Sequence, residues 1–341
     1  MPNPVIAVCV PVRNEQAVLP RLLRALLAQE AAPPFHACFF LDSCTDDSGA
    51  VIENTLGGSH LPWSVARSTA VRPSNAGAAR RDALAIGLER VAGAPGALLL
   101  TTDADSMPAP DWVRAAAAAL GAVEIAAGLI VRPGDARDAP QDRIEAYYDR
   151  LYRLRRRIDP VVWEPDEGHH FTGGANLAMR ADGYAALGGC APLPSGEDAA
   201  LIDAAGRAGM RVRRARAMVV ETSSRRIGRA PGGLAHDLRR ADDGDETVVA
   251  HPEGAAWQYR AHAAARRAFA RRASAATRSG FGRMIGLSGD HVLGVARDCP
   301  NAEAFAMRIV PACPAGERPV PLGVAEQALA VLERAPMEEA A

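Results

Sequence analysis

The chain has 341 residues, of which 48% are hydrophobic and 23% are charged, and its formal net charge is −1. This composition is typical of a globular protein with a sizeable core, and the balanced charge excludes a general attraction to nucleic acid or to anionic membranes. The six cysteines are scattered without a CxxC pair. They predict buried free thiols in a reducing compartment and argue against a structural zinc site.

Apolar runs and helical periodicity alternate along the first hundred residues. Four short apolar runs predict strands at 4–12, 36–42, 63–71 and 97–103. The segments between them carry apolar residues at helical spacing, which predicts helices at 15–30, 45–56 and 75–93. Strands that alternate with helices and are apolar throughout predict an α/β fold, with a mostly parallel sheet covered on both faces.

The second half of the chain continues with helices and strands before its composition changes. The pattern predicts helices at 112–120, 141–158 and 196–209, and strands at 123–132, 171–180 and 212–223. Beyond about residue 235 the sequence becomes rich in alanine and arginine, which predicts a helical C-terminal extension. No stretch has the length of a membrane span, and the apolar segment 5–10 lacks the basic lead of a signal peptide, so we expect a soluble cytoplasmic protein.

Polar residues cluster where the predicted strands end, at 13–15, 42–47 and 103–105. In parallel sheets, ligands bind beyond the carboxyl ends of the strands, so these clusters predict a binding site. Asp103 and Asp105 point to the same side of an extended chain, where their charges repel each other. A divalent cation relieves such repulsion, and magnesium prefers few protein carboxylates. A solvated strand end or a helix N-cap is the alternative interpretation of this pair.

Six short motifs then identify a resemblance to a known family. In chain order they are VPVRNE (10–15), DSCTDDS (42–48), NAGAARRDAL (75–84), TDADS (102–106), TGGAN (172–176) and GED (196–198). Together they resemble family 2 glycosyltransferases of the GT-A fold over roughly residues 4–225. The resemblance implies a GT-A-like sheet flanked by helices. It also implies transfer of one sugar from a nucleotide-diphosphate donor to an acceptor hydroxyl, with inversion in the family's manner, using Mg²⁺ or Mn²⁺.

The resemblance implies a role for each matching residue on the donor side. The residues implied to bind the nucleotide are Pro11, Val12, Glu15, Asp42, Asn75, Gly77, Arg80, Asp103 and Ala104. Arg80 is expected either to meet a phosphate or to hold Asp103. A surface position on the helix is the alternative, since only one of Arg80 and its neighbour Arg81 can point into the site. Asp105 and Asp103 are the implied metal ligands, and His236 is a further candidate.

On the acceptor side, the resemblance implies that Asp198 is the general base and that Glu197 holds it or the acceptor. Acids at the start of a helix also stabilise the helix dipole, and the two interpretations are compatible. The floor beneath the transferred sugar is expected at Gly173, Gly174 and Asn176. The glycine-rich segment 223–237, with Arg225, Arg226 and Arg229, is expected either to close over the diphosphate or to be a solvated basic loop.

These expectations divide the chain into a GT-A domain at 1–235 and a helical extension at 236–341. The domain comprises a nucleotide-binding half (1–106) and an acceptor half (107–235). The expected partners are a nucleotide-sugar donor and a saccharide, lipid-linked or small-molecule acceptor, without nucleic acid and with at most peripheral membrane contact. A dimer is one option for the extension. The Gln-x-x-Arg-Trp motif of processive members is absent from the sequence, which favours transfer of single sugars.

Two other functions stay open on the sequence alone. A sugar nucleotidyltransferase on a related fold would carry a glycine-rich signature after its first strand, whereas this chain has VRNEQAVLP there. The same segment lacks the G-x-G-x-x-G of a dinucleotide-binding dehydrogenase. A decayed transferase that keeps only a nucleotide pocket or a scaffold role is the remaining alternative, against which the acids at 42, 103, 105, 197 and 198 argue.

Overall fold

The structure is a computed structural model that describes residues 4–71, 73–133, 139–225, 239, 246–316 and 318–335. The chain divides into two compact units. The first comprises Met1–Arg137, Phe171–Ile202 and Val212–Arg240, and the second comprises Asp138–His170, Asp203–Arg211 and Ala241–Ala341.

The first unit is built on one sheet of eight described strands, in the order β3-β2-β1-β4-β7-β6-β8-β5. The strands are β1 (Ile6–Val12), β2 (Phe35–Leu41), β3 (Trp63–Arg67), β4 (Leu98–Thr101), β5 (Met107–Pro108), β6 (Ile125–Val131), β7 (Leu177–Arg180) and β8 (Val212–Glu221). Strands β1 to β4 run parallel, whereas β7 lies antiparallel between β4 and β6. The sheet is therefore mixed and mainly parallel, which confirms the predicted fold class.

Helices flank this sheet. They are α1 (Leu19–Leu27), α2 (Ser48–Leu56), α3 (Ala76–Arg90), α4 (Trp112–Ala119), α6 (Ala181–Ala186) and α7 (Glu197–Ala208), the last of which begins in this unit. The predicted strands at 4–12, 36–42 and 97–103 are present because their central residues are almost completely buried. The short strand β5 and helix α6 were not predicted from the sequence, since each is too short to show a periodicity.

The second unit is mainly helical. Its helices are α5 (Ala139–Ile158), α8 (Pro252–Ala270), α9 (Ala275–Ile285), α10 (Gly289–Arg297), α11 (Ala302–Ile309) and α12 (Leu322–Arg334), and strands β9 (Val248–Ala250) and β10 (Pro319–Pro321) form an antiparallel pair. Phe305 is fully buried in a core formed by α8 to α11, and Tyr147 in a second core formed by α5, α8 and α12. None of the helices in the described part of the chain is both long and apolar enough to cross a bilayer.

Candidate active site

The register of the sheet brings three separate segments to the carboxyl end of β4. Because β4 and β7 are antiparallel with Thr101 opposite Leu177, the residues before β7 lie beside the residues after β4. The two-residue strand β5 pairs with the end of β8, with Met107 opposite Glu221, so the segment after β8 returns to the same edge. Residues 101–105, 173–176 and 222–225 therefore meet there, although they are far apart in sequence.

Arg80 of α3 is the buried centre of this site. Its Nη2 donates to Asp103 Oδ1 at 2.9 Å, and its Nε donates to Glu197 Oε1 at 3.0 Å. Its Nη1 donates to Thr101 Oγ1 at 3.0 Å and to the carbonyl oxygen of Gly174 at 2.8 Å. Burial opposes the charge of Arg80, but the carboxylates of Asp103 and Glu197 raise its pKa overall. Of the alternatives that the sequence leaves for Arg80, the structure has the one in which the arginine holds Asp103.

The glycine pair before β7 is shaped around this arginine. A Cβ atom on Gly174 would lie 2.5 Å from Arg80 Cζ, so no side chain fits there without displacing the guanidinium group. A Cβ atom on Gly173 would meet the end of the Ile130 side chain at 3.0 Å. The requirement for glycine at position 174 is therefore steric and comes from α3.

Asp198 is positioned in the first turn of α7 by the same glycine pair. Its Oδ2 accepts a hydrogen bond from the Gly174 backbone N–H at 2.8 Å, and its Oδ1 accepts one from the Ala199 N–H at 2.7 Å. Its neighbour Glu197 is 4% exposed, whereas Asp198 is half-buried. The two acids thus differ in environment: Glu197 is committed to the buried Arg80, and Asp198 stands at the rim of the site.

Asp105 faces a second arginine. Arg225, which follows β8, donates to both carboxylate oxygens of Glu15 at 2.5 and 2.6 Å, and its Nη2 lies 3.2 Å from Asp105 Oδ2. Burial, together with the negative charge of Asp103, raises the pKa of Asp105 to about 6, although Arg225 counteracts this. Asp105 and Glu15 thus both contact Arg225, and the pKa of Asp105 is raised although this arginine lies beside it.

Asp103 and Asp105 fit a divalent cation on the chemistry of their donor atoms. Both supply carboxylate oxygens, the ligands that Mg²⁺ and Mn²⁺ prefer, and their mutual repulsion is the reason the pKa of Asp105 is raised by its neighbour. Within the described ranges, no three His, Cys, Asp or Glu side chains form a metal-binding group. Two carboxylates suffice for magnesium, which completes its shell with water and substrate phosphates. The third candidate, His236, lies outside the described residues, as do Arg226 and Arg229.

The remaining donor-side residues lie along β1, β2 and the turns that follow them. Asp42 is 1% exposed and accepts a hydrogen bond from Arg13 Nη1 at 2.9 Å. Pro11 is half-buried and Val12 is buried at the end of β1, and Ala104 is buried between the two aspartates. Arg13 belongs to the VPVRNE motif but was not singled out from the sequence, since nothing local to it indicates that Asp42 is its partner.

Asn75 and Gly77, predicted to lie along the nucleotide, contact a segment of this unit that precedes α7. Asn75 caps α3 by accepting from the Ala78 N–H at 2.8 Å and donates to the carbonyl of Pro192 at 3.0 Å. A Cβ atom on Gly77 would lie 2.3 Å from the carbonyl oxygen of Ala191. In this structure both residues therefore hold the chain that leads to Glu197 and Asp198.

Asn176 is completely buried beneath the glycine pair. Its Oδ1 accepts from Trp112 Nε1 at 2.8 Å, and its Nδ2 donates to the carbonyls of Leu129 and Met218 at 2.9 Å each. These contacts join α4, β6 and β8 under the 3₁₀ turn at Gly174–Asn176. The side chain thus supports the floor from below, and its predicted place in the sugar subsite stays a prediction.

Comparisons with known proteins agree with this architecture. Residues 7–182 match the family model described as Glycosyl transferase family 2, whereas no curated protein sequence matches the chain. The crystal structure of S. aureus TarS 1-349 in complex with UDP-GlcNAc is 16% identical, aligns over 90% of this chain and 90% of that chain, and has a TM-score of 0.50. The mannosyltransferase PcManGT from Pyrobaculum calidifontis, in complex with GDP-Man and Mn²⁺, is 17% identical over 99% of this chain and 77% of that chain, with a TM-score of 0.45. At 16% sequence identity, the likeness to TarS concerns the fold alone, and it confirms the GT-A architecture.

Proposed function

The chain belongs to glycosyl transferase family 2, and on that premise we propose that it transfers a single sugar from a nucleotide-diphosphate donor to an acceptor hydroxyl, with inversion and with Mg²⁺ or Mn²⁺ bound. The acceptor is a saccharide, a lipid-linked sugar or a small molecule. We propose a cytoplasmic location, which suits the free thiols of all six cysteines.

The observation that carries the proposal is the buried link between the two halves of the site. Arg80 contacts the acid after β4 and the acid that begins α7 at 2.9 and 3.0 Å. Through these contacts it fixes the distance between the donor-side aspartates and Asp198. A transferase needs this fixed relation, because the diphosphate leaves the same sugar carbon that is attacked by the acceptor oxygen, from which the general base removes the proton.

On the donor side, Asp42 and Glu15 line the proposed nucleotide pocket. Asp103 and Asp105 would hold the metal, and Arg225 is placed to pair with a phosphate once a cation takes over the neutralisation of Asp105. A bound divalent cation would act as a Lewis acid that offsets the charge of the departing nucleotide diphosphate. The closeness of Asp103 to Asp105, which together with burial raises the pKa of Asp105, supports this assignment.

On the acceptor side, Asp198 would accept the proton of the acceptor hydroxyl as its oxygen attacks the anomeric carbon. The carbon–oxygen bond to the diphosphate breaks as the new glycosidic bond forms, and attack from the opposite face inverts the configuration. The Gly174 N–H holds the Asp198 carboxylate at 2.8 Å, which fixes its direction. Glu197, paired with Arg80, would position this base rather than touch the proton.

A thermal-shift panel tests donor binding directly. The protein is heated with UDP, GDP, CDP or dTDP, each with Mn²⁺, Mg²⁺ or a chelator. We expect one diphosphate to raise the melting temperature, and the rise to vanish with chelator or in Asp105→Ala. Absence of any shift with all four nucleotides would contradict the proposed donor site.

The base is tested with that donor by measuring product formation after an acceptor has been found by screening. Asp198→Asn is expected to abolish transfer while leaving the nucleotide shift intact. Asp203→Asn is the matched control, because Asp203 lies on the same helix in an exposed pair with Arg207. Wild-type transfer rates in Asp198→Asn would refute the assignment of the base.

A further inference from the structure

Arginines are concentrated in one segment of the second unit, independently of the candidate active site. Residues 254–289 contain seven arginines and no aspartate or glutamate, in a chain whose net charge is −1. This segment covers most of α8 and all of α9. The overall charge balance of the protein therefore hides a strongly basic region.

Several arginines elsewhere in the same unit are matched by carboxylates. Arg143 pairs with Glu326 and Arg150 with Glu333, at 2.6 Å in each case. Within the segment itself, Arg266 contacts both Asp159 and Glu303 and is half-buried. Carboxylates thus neutralise these three arginines of the second unit.

The other arginines of the segment lack such matching. We define the basic face as the five exposed ones: Arg260, Arg267, Arg271, Arg272 and Arg283. None of them forms an ion pair with any residue that the structure describes. Arg272 instead lies over the ring of Phe269, 4.3 Å from its centroid, and donates to a backbone carbonyl. The positive charges of the basic face are therefore open to a partner.

Helical geometry aligns three of the five arginines of the basic face. Arg260, Arg267 and Arg271 are separated by seven and eleven positions, which return to the same side of a helix at 3.6 residues per turn. The row extends about 16 Å along α8 at 1.5 Å per residue. Arg283 lies near the end of α9 beside Met284, whose side chain is 44% exposed. An exposed apolar residue beside Arg283 suits a partner that has an apolar layer under a charged surface.

We propose that the basic face binds an anionic lipid bilayer and docks the protein on a membrane surface. Arginine guanidinium groups pair with phosphate oxygens of lipid headgroups, and Met284 enters the boundary of the acyl region. Each basic residue near an anionic bilayer strengthens binding by about fivefold. The three arginines of the row on α8 alone thus attach the protein reversibly to the bilayer. Such attachment does not require the sugar acceptor to be a lipid.

Vesicle sedimentation tests the proposal. The full chain is mixed with vesicles of phosphatidylcholine alone or of phosphatidylcholine with phosphatidylglycerol. We expect binding only to the anionic vesicles, and weaker binding as salt screens the charges. Arg267→Gln/Arg271→Gln is expected to weaken binding about 25-fold, since it removes two charges of the row.

The matched control is Arg24→Gln/Arg90→Gln, which removes two exposed arginines from the last turns of α1 and α3. It changes the net charge equally but is expected to alter vesicle binding by less than about twofold. Equal melting temperatures by circular dichroism show that both variants fold. The proposal is overturned if the wild type ignores anionic vesicles, if both double variants lose binding equally, or if the protein binds heparin or RNA but not vesicles.

Discussion

Replacing Arg80 by methionine tests whether one buried arginine holds the two halves of the site together. The side chain of Arg80 is 6% exposed, and it contacts Asp103, Glu197, Thr101 and the Gly174 carbonyl. Methionine approximates the length of the arginine stem but removes the charge and every donor. The Glu197 side chain is 6% exposed. The variant therefore leaves it as a buried carboxylate without its arginine.

The expected loss of stability depends on which carboxylate is left buried without its partner. Breaking a buried ion pair by removing one member costs about 3–5 kcal/mol. The loss of the Arg80–Asp103 pair adds little to this cost, because the Asp103 side chain is 36% exposed and water screens its charge. The free energy of unfolding of a domain is about 5–15 kcal/mol. We therefore expect Arg80→Met to remove a large part of the stability of the first unit.

Urea unfolding of a double-mutant cycle measures this coupling. Glu197→Gln removes the stranded charge, so Arg80→Met/Glu197→Gln is expected to recover about half of the loss or more. Arg81→Met is the control, because the neighbouring Arg81 guanidinium donates to the Cys190 carbonyl at 3.0 Å and pairs with no carboxylate among the described residues. A cost below about 1 kcal/mol for Arg80→Met, or no recovery in the double variant, would refute this account of Arg80.

Three further perturbations follow from the same structure. Asn176→Ala leaves the Trp112 N–H and two backbone carbonyls unpaired, so we expect a loss of about 3–6 kcal/mol in urea unfolding. Gly174→Ala forces the Arg80 guanidinium aside and is expected to cost about 1–3 kcal/mol and to abolish sugar transfer. Burial and the charges of Arg266 and Arg155 lower the pKa of His262 from 6.5 to about 4. The unfolded chain therefore binds the extra proton, and stability falls as the pH drops from about 6.5 to about 4, by about 2 kcal/mol at about pH 5. His262→Gln is expected to remove this part of the pH dependence in urea titrations.

Each of these predictions has its own contrary result. Wild-type stability of Asn176→Ala would mean that the three hydrogen bonds of Asn176 do not stabilise the floor of the site. Gly294→Ala, where a Cβ meets nothing within 4 Å, is the control for Gly174→Ala, and equal behaviour of the two would contradict the steric explanation. An unchanged slope of stability against pH in His262→Gln would mean that other groups, not this histidine, carry the acid sensitivity.

The sequence by itself determined the sheet and the family. Continuous apolar runs reveal β1, β2 and β4, because burial on both faces leaves no polar alternation. The polar residues after these strands indicated the functional edge, and six motifs in order indicated the family, which the comparison confirmed. These features are local, so composition and spacing suffice to find them.

Tertiary structure alone decided which of the motif residues contact one another. Arg80 and Glu197 are 117 positions apart, and Arg225 and Glu15 are 210 positions apart. No periodicity encodes such a pair, since it depends on the antiparallel insertion of β7 and on the return of the chain after β8. The same holds for Asn176, whose amide is consumed by contacts to three other elements. Local spacing fixes which residues are buried, but the partners of a buried charge are set by the order in which the strands join.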